Sequence, residues 1–192
     1  LMFGEIANRE HVFGAYNEHL AEVCAQSGGR LFPVMIPHYW DMETVTASVE
    51  RCKALGAKCL MIPIKPGKFE DGKPIHYNDP VMDPLWAAIE ASGMPVAFHI
   101  GESIPTAAPG AVGVSFLGQT AGFRTQWAAL TFGGVFDRFS GLKVVFVECG
   151  LAWVASMLHD ADMTYNQFPT QVSPKLNHPP SWYWREHCYA TF

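Results

Sequence analysis

Apolar residues along this chain follow two spacings that take turns. Four short runs are almost continuously apolar: Leu31 to Pro37 (LFPVMIP), Lys58 to Ile64 (KCLMIPI), Pro95 to Gly101 (PVAFHIG) and Lys143 to Gly150 (KVVFVECG). Unbroken runs of this kind suit strands buried on both faces, as in a parallel sheet. Between them the apolar residues recur at helical spacing, leaving one buried face. From Glu10 to Gln26 the stripe is Val12, Tyr16, Leu20 and Val23. After Asp41, a good N-cap, it is Val45, Val49, Cys52 and Leu55. Asp79-Pro80 opens a helix whose stripe is Met82, Leu85 and Ile89; Gln126 to Phe139 and Leu151 to Tyr165 give two more. Glycines at Gly28-Gly29, Gly56, Gly93 and Gly141 precede the four runs, where a helix C-terminus favours a left-handed residue. A fifth strand is expected in His187 to Phe192 (HCYATF).

Strands alternating with helices predict βαβ units, a parallel sheet and the α/β class. Lys65 to Asp79 and Glu102 to Gly122 read as long loops after strands, where α/β proteins carry function. Residues 166–181 (NQFPTQVSPKLNHPPS) read as an irregular, Pro-rich surface connection. The aromatic stretch Trp182, Tyr183 and Trp184 after it suits, if exposed, either a lid or an interface in a homo-oligomer.

Composition narrows the class. The chain has 192 residues, 49% hydrophobic and 16% charged, enough for one sizeable core in a single domain. A formal net charge of −5, with 13 Lys and Arg that form no block, gives no footprint for nucleic acid. No apolar run reaches the roughly 18 residues of a membrane span. The five cysteines are irregularly spaced with no CxxC, so they read as core thiols in a reducing, cytoplasmic setting. The N-terminal LMFGEIANRE carries no secretory pattern, and its abrupt start is what a chain cut from something longer would show.

Two ionisable residues end buried runs. His99 is followed by Ile100-Gly101, and Glu148 by Cys149-Gly150. In a parallel sheet the strand C-termini share one edge, so both belong to a common pocket. A buried ionised group is costly unless it is paired or bound to a metal. Imidazole suits zinc and similar ions, and a carboxylate suits proton transfer. His38, in PHYWD, ends the first run and is a candidate substrate contact with Trp40 as an apolar wall; Glu102 and Trp153 join them. The bland reading is a hydrogen-bonded structural histidine for His99, a surface loop histidine for His38 and a solvent-facing side chain for Glu102. His76, His178 and His187 read as surface loop residues, and His11, His19 and His159 as solvated helix residues. Cys149 has no base marked for it and reads as a packed thiol. GxSxG, P-loop, GxGxxG and HExxH motifs are absent, which argues against a nucleotide-binding α/β protein.

Gly133 to Trp153 (GGVFDRFSGLKVVFVECGLAW) resembles the amidohydrolase-related, or amidohydrolase 2, family of hydrolases and aromatic-acid decarboxylases. DPLWAAIEASGMPVAFHIG is similar to its passage into barrel strand five, ALGAKCLMIPI to strand four, RLFPVMIPHYWD to strand three and SWYWREHCYATF to the start of strand seven. The resemblance implies a (β/α)8 TIM barrel with a mononuclear divalent metal, often zinc. It makes His99 the strand-five metal ligand. It puts Glu148 where the family often carries histidine, so Glu148 is expected to orient water or move a proton. The family also has a His-x-His pair on strand one and an Asp on strand eight. No HxH occurs here, so residues 1–192 are expected to be one partial TIM-barrel domain lacking both strands. A complete barrel needs about 250 residues. Two functions are left open: a metal-dependent hydrolase or nonoxidative decarboxylase (a carboxy-lyase) of a small carboxylated or cyclic substrate, and a catalytically inactive barrel fragment serving as a binding or assembly module.

Overall fold

A computed structural model describes residues 8–101 and 109–192 of the chain. Its centre is a parallel sheet of β1 (Val34–Met35), β2 (Cys59–Met61), β3 (Val96–His99), β4 (Val144–Val147) and β5 (Cys188–Ala190), in chain order. The strands fall within the five apolar runs expected. One row of the register runs Met35, Leu60, Val96, Val144 and Cys188 across all five strands. Among the described residues the sheet is open, because β1 and β5 each pair with one neighbour. This is a partial (β/α)8 barrel.

Side-chain alternation divides the sheet into two faces. Met35, Leu60, Val96, Phe98, Val144 and Phe146 point to the helices and are fully buried. Burial of each such side chain contributes about 1.5–3 kcal/mol relative to exposure. Val34, Met61, Ala97, His99, Val145 and Val147 point the other way, toward what would be the barrel interior. The helical layer is α1 (Arg9–Ala25), α2 (Val45–Ala54), α3 (Asp83–Ser92), α4 (Ala111–Phe132), α5 (Val135–Arg138), α6 (Ala152–Gln167) and α7 (Pro180–His187). Asp79 caps the 3-10 turn before α3, its Oδ1 accepting from Val81 N–H at 3.0 Å.

The structure departs from the sequence pattern in four places. The α1 stripe is turned over: Val12, Tyr16 and Val23 are exposed, while Phe13, Asn17 and Cys24 are buried. Asn17 faces inward because it hydrogen-bonds the backbone of Ile36. Second, most of the described part of the expected 102–122 loop is helix, and α4 begins at Ala111. One of its glycines, which read as loop, serves close packing: a Cβ on Gly122 would stand 2.8 Å from Ile64 Cγ2. The expected helix Gln126 to Phe139 is in fact the end of α4 plus the short α5, divided at Gly133-Gly134. Third, Gly141 is not left-handed; its N–H donates to Glu90 Oε1 at 2.6 Å.

The last departure lies before β5. The aromatic stretch is not an exposed patch but α7, with Tyr183 fully buried and Trp182 and Trp184 packed on the core. Tyr183 Oη donates to Asp137 Oδ1 at 2.5 Å and accepts from the N–H groups of Asn177 and His178. His187 is likewise interior, not a surface residue: it is 2% exposed and stacks on Phe136 with ring centroids 4.6 Å apart. Its Nδ1 donates to the Leu142 carbonyl at 2.8 Å. That bond supplies the polar satisfaction that a polar-looking sequence context did not reveal.

Candidate active site

His99 is the last residue of β3, paired in register with Val147 of β4. It therefore stands at the strand C-termini and on the concave face. There it lines a cavity of about 510 Å³ whose other walls include Tyr16, Val34, Met61, Ala97 and Val147. The walls are largely apolar, so a polar group on the imidazole has few competitors for orienting a ligand. His99 Nδ1 lies against the carbonyl of Ile100. A carbonyl only accepts, so Nδ1 carries a proton, and in the neutral tautomer the lone pair is then on Nε2. That is the arrangement of a metal-binding imidazole, whose other nitrogen is held by a backbone acceptor. Among the described residues, no three His, Cys, Asp or Glu side chains gather to hold a metal ion. The donor chemistry of His99 thus fits one ligand of a metal ion, and the described residues do not gather a full ligand set around it.

Glu148 follows β4 and is exposed. Continued as a strand it would face the helices with Phe146, because alternate residues share a face. Instead its backbone is left-handed, with φ 55. Cys149 takes the buried place, with a thiol that burial pushes above its ordinary pKa. Glu148 does not line the cavity, although its neighbour Val147 does.

His38 and Trp40 lie beyond β1 at the same edge, outside the cavity lining. Trp40 is 5% exposed, packed against Phe13 and Tyr39 with the Arg9 guanidinium 4.4 Å from its ring centroid. Burial lowers the pKa of that guanidinium. His38 is half-buried; its Nδ1 meets Thr44 Oγ1 at 3.1 Å, and Thr44 donates its proton to Asp41 Oδ2 at 2.7 Å. Thr44 has spent its one proton, so His38 Nδ1 is the donor. Burial lowers the His38 pKa against the opposing pull of Glu10 and Asp41. Burial alone would raise the Asp41 carboxyl, but the hydrogen bonds from Thr44 and Glu43 outweigh it and hold it low. Trp153 belongs to the helix side: its Nε1 donates to Cys149 O at 2.8 Å, and its ring packs on Phe123, Phe146 and Trp184. Glu102 lies outside the described residues. The fold therefore brings His99, Glu148 and His38 to one edge and keeps Trp40 and Trp153 in packing roles.

Two residues at this edge escaped the sequence reading. Tyr16 lines the cavity from α1, which only the turned-over helix reveals. Thr191 binds the backbone of Glu148, and nothing in the sequence marks it.

The fold has close counterparts among solved structures. A 2,6-dihydroxybenzoate decarboxylase from Rhizobium superposes with a TM-score of 0.78 at 19% identity, covering 98% of this chain and 61% of that one. A 5-carboxyvanillate decarboxylase from Sphingomonas paucimobilis gives 0.79 at 23% identity, covering 98% and 57%. A dihydroxybenzoic acid decarboxylase from a Polaromonas species, solved with manganese and 2-nitroresorcinol, gives 0.77 at 20% identity, covering 98% and 59%. The chain thus spans about three fifths of the length of these structures. No curated protein matches it. A family model described as Amidohydrolase matches residues 2–190, nearly the whole sequence, and the chain belongs to that family.

Proposed function

We propose that this chain is part of a metal-dependent hydrolase or nonoxidative decarboxylase acting on a small carboxylated or cyclic substrate. One observation carries the reading: His99 stands at the strand C-termini on an apolar cavity with Nδ1 turned to a backbone carbonyl. In this reading residues 1–192 are one partial barrel domain, and ligands from outside the described residues complete the site. His99 would hold a divalent ion, zinc or the manganese seen in a similar decarboxylase. Such an ion, when bound, supplies a Lewis acid for a substrate oxygen or for water.

The chain's own residues do the rest. The walls formed by Val34, Met61, Ala97 and Val147 cover the apolar faces of a ring and exclude water. Glu148, a carboxylate at the same edge, moves a proton: to the ring carbon that loses carbon dioxide, or from attacking water in hydrolysis. His38, with Nδ1 held by Thr44, offers Nε2 as an acceptor to a substrate hydroxyl. The decarboxylation arm is favoured by three similar folds that act on aromatic acids.

The test is carbon dioxide release by the full-length gene product supplied with zinc or manganese, offered 2,6-dihydroxybenzoate, 5-carboxyvanillate and related hydroxybenzoates. Turnover that falls at least about 100-fold in Glu148→Gln supports the reading. Absence of both turnover and bound metal in the wild type would instead match the binding-module alternative.

A further inference from the structure

Glu148 is held in a conformation that its side chain disfavours. A left-handed backbone costs a residue with a Cβ roughly 1–2 kcal/mol. Such strain persists only where neighbours impose it. Here the neighbour is Thr191, just beyond β5. Glu148 N–H donates to Thr191 Oγ1 at 2.9 Å, and Cys149 N–H donates to Thr191 O at 3.1 Å. Thr191 N–H donates to Phe146 O at 2.9 Å, so the residue is itself fixed to β4. One residue thus grips the peptides on both sides of the strained turn.

We propose that Thr191 is a positioning residue for Glu148: it holds the end of β4 in the left-handed turn that takes the carboxylate off the helix-facing side of the sheet and presents it at the strand C-termini. Glycine or asparagine is the usual occupant of this φ, and among the described residues the exposed Glu148 side chain makes no hydrogen bond or ion pair that would offset the strain. The proposal rests on the reading that Glu148 moves a proton.

The test uses the full-length gene product and two readouts, thermal unfolding and turnover of the hydroxybenzoates. Glu148→Gly removes the strain, so its unfolding midpoint should rise by about 1–3 °C while turnover collapses. Thr191→Val removes the hydroxyl at constant shape, lowering the midpoint by a similar amount and kcat at least about 10-fold with little change in KM. Thr191→Ser, which keeps the hydroxyl, should restore kcat to within about 2-fold of wild type. A lower midpoint in Glu148→Gly, or wild-type kcat in Thr191→Val, would overturn the proposal. If the wild type turns over none of these acids, the functional reading fails separately. The two midpoint shifts then decide whether Thr191 holds a strained turn.

Discussion

Asn17 satisfies both backbone groups of Ile36 with one side chain: its Nδ2 donates to the carbonyl at 2.9 Å, and its Oδ1 accepts from the N–H at 3.0 Å. Ile36 follows β1, which among the described residues has a neighbouring strand on one side only. The amide therefore stands in for the peptide of an adjoining strand and tethers α1 to the sheet. Both Asn17 and Ile36 are buried. Asn17→Ala would leave a buried donor and a buried acceptor unpaired, and is expected to cost about 2–4 kcal/mol. Asn17→Asp keeps the acceptor alone and should fall in between. Urea denaturation checks both, and a neutral alanine variant would refute the clamp.

Gly133 sits between α4 and α5 with ordinary φ, so the demand for glycine there is spatial. An added Cβ would lie 2.4 Å from Asn78 Cβ and 2.6 Å from Ala129 O. Backbone has to shift to admit it. Gly133→Ala should destabilise by about 1–3 kcal/mol, despite the better helix propensity of alanine. Thermal unfolding against Gly14→Ala, where a Cβ meets nothing within 4 Å, isolates the clash from propensity.

Burial lowers the folded pKa of His187, with Lys143 adding to the effect while the Leu142 bond, Glu186 and Asp137 oppose it. The unfolded chain then takes up the proton more readily than the folded one. The stability tied to His187 is therefore present above the unfolded pKa of about 6.5 and is lost as pH falls through the folded value. His187→Asn keeps a donor for Leu142 O but does not titrate. Its unfolding midpoint should lose less than that of wild type between pH 7.5 and 5.5, to about 1 °C resolution. His38, lowered in the same direction, contributes the slope that remains.

The strands were legible because both faces are apolar, one packed on the helices and the other lining the cavity, which makes a continuous apolar run as in Pro95 to Gly101. The helix faces of α2 and of α3 with the turn leading into it were legible from helical spacing: Val45, Val49, Cys52, Met82, Leu85 and Ile89 are all buried. α1 was misread because its apolar stripe borders the open edge, while a polar residue, Asn17, makes the inward contact. α4 was misread because its glycines raise the cost of a helix, and one of them, Gly122, is there for packing distance. Of the candidate site, strand-end position marked His99 and Glu148. Thr191 stayed hidden because its role comes from a strand pairing that brings it 43 residues back along the chain.

The proposed role of His99 as a metal ligand is read most directly from metal content. The full-length gene product, grown with zinc and manganese and washed free of loose ions, is compared with His99→Ala by plasma mass spectrometry. About one equivalent in the wild type and at least about a 10-fold loss in the variant, with its fold intact by circular dichroism, is the expected result. A His99→Ala protein that keeps its full equivalent of metal would contradict the account.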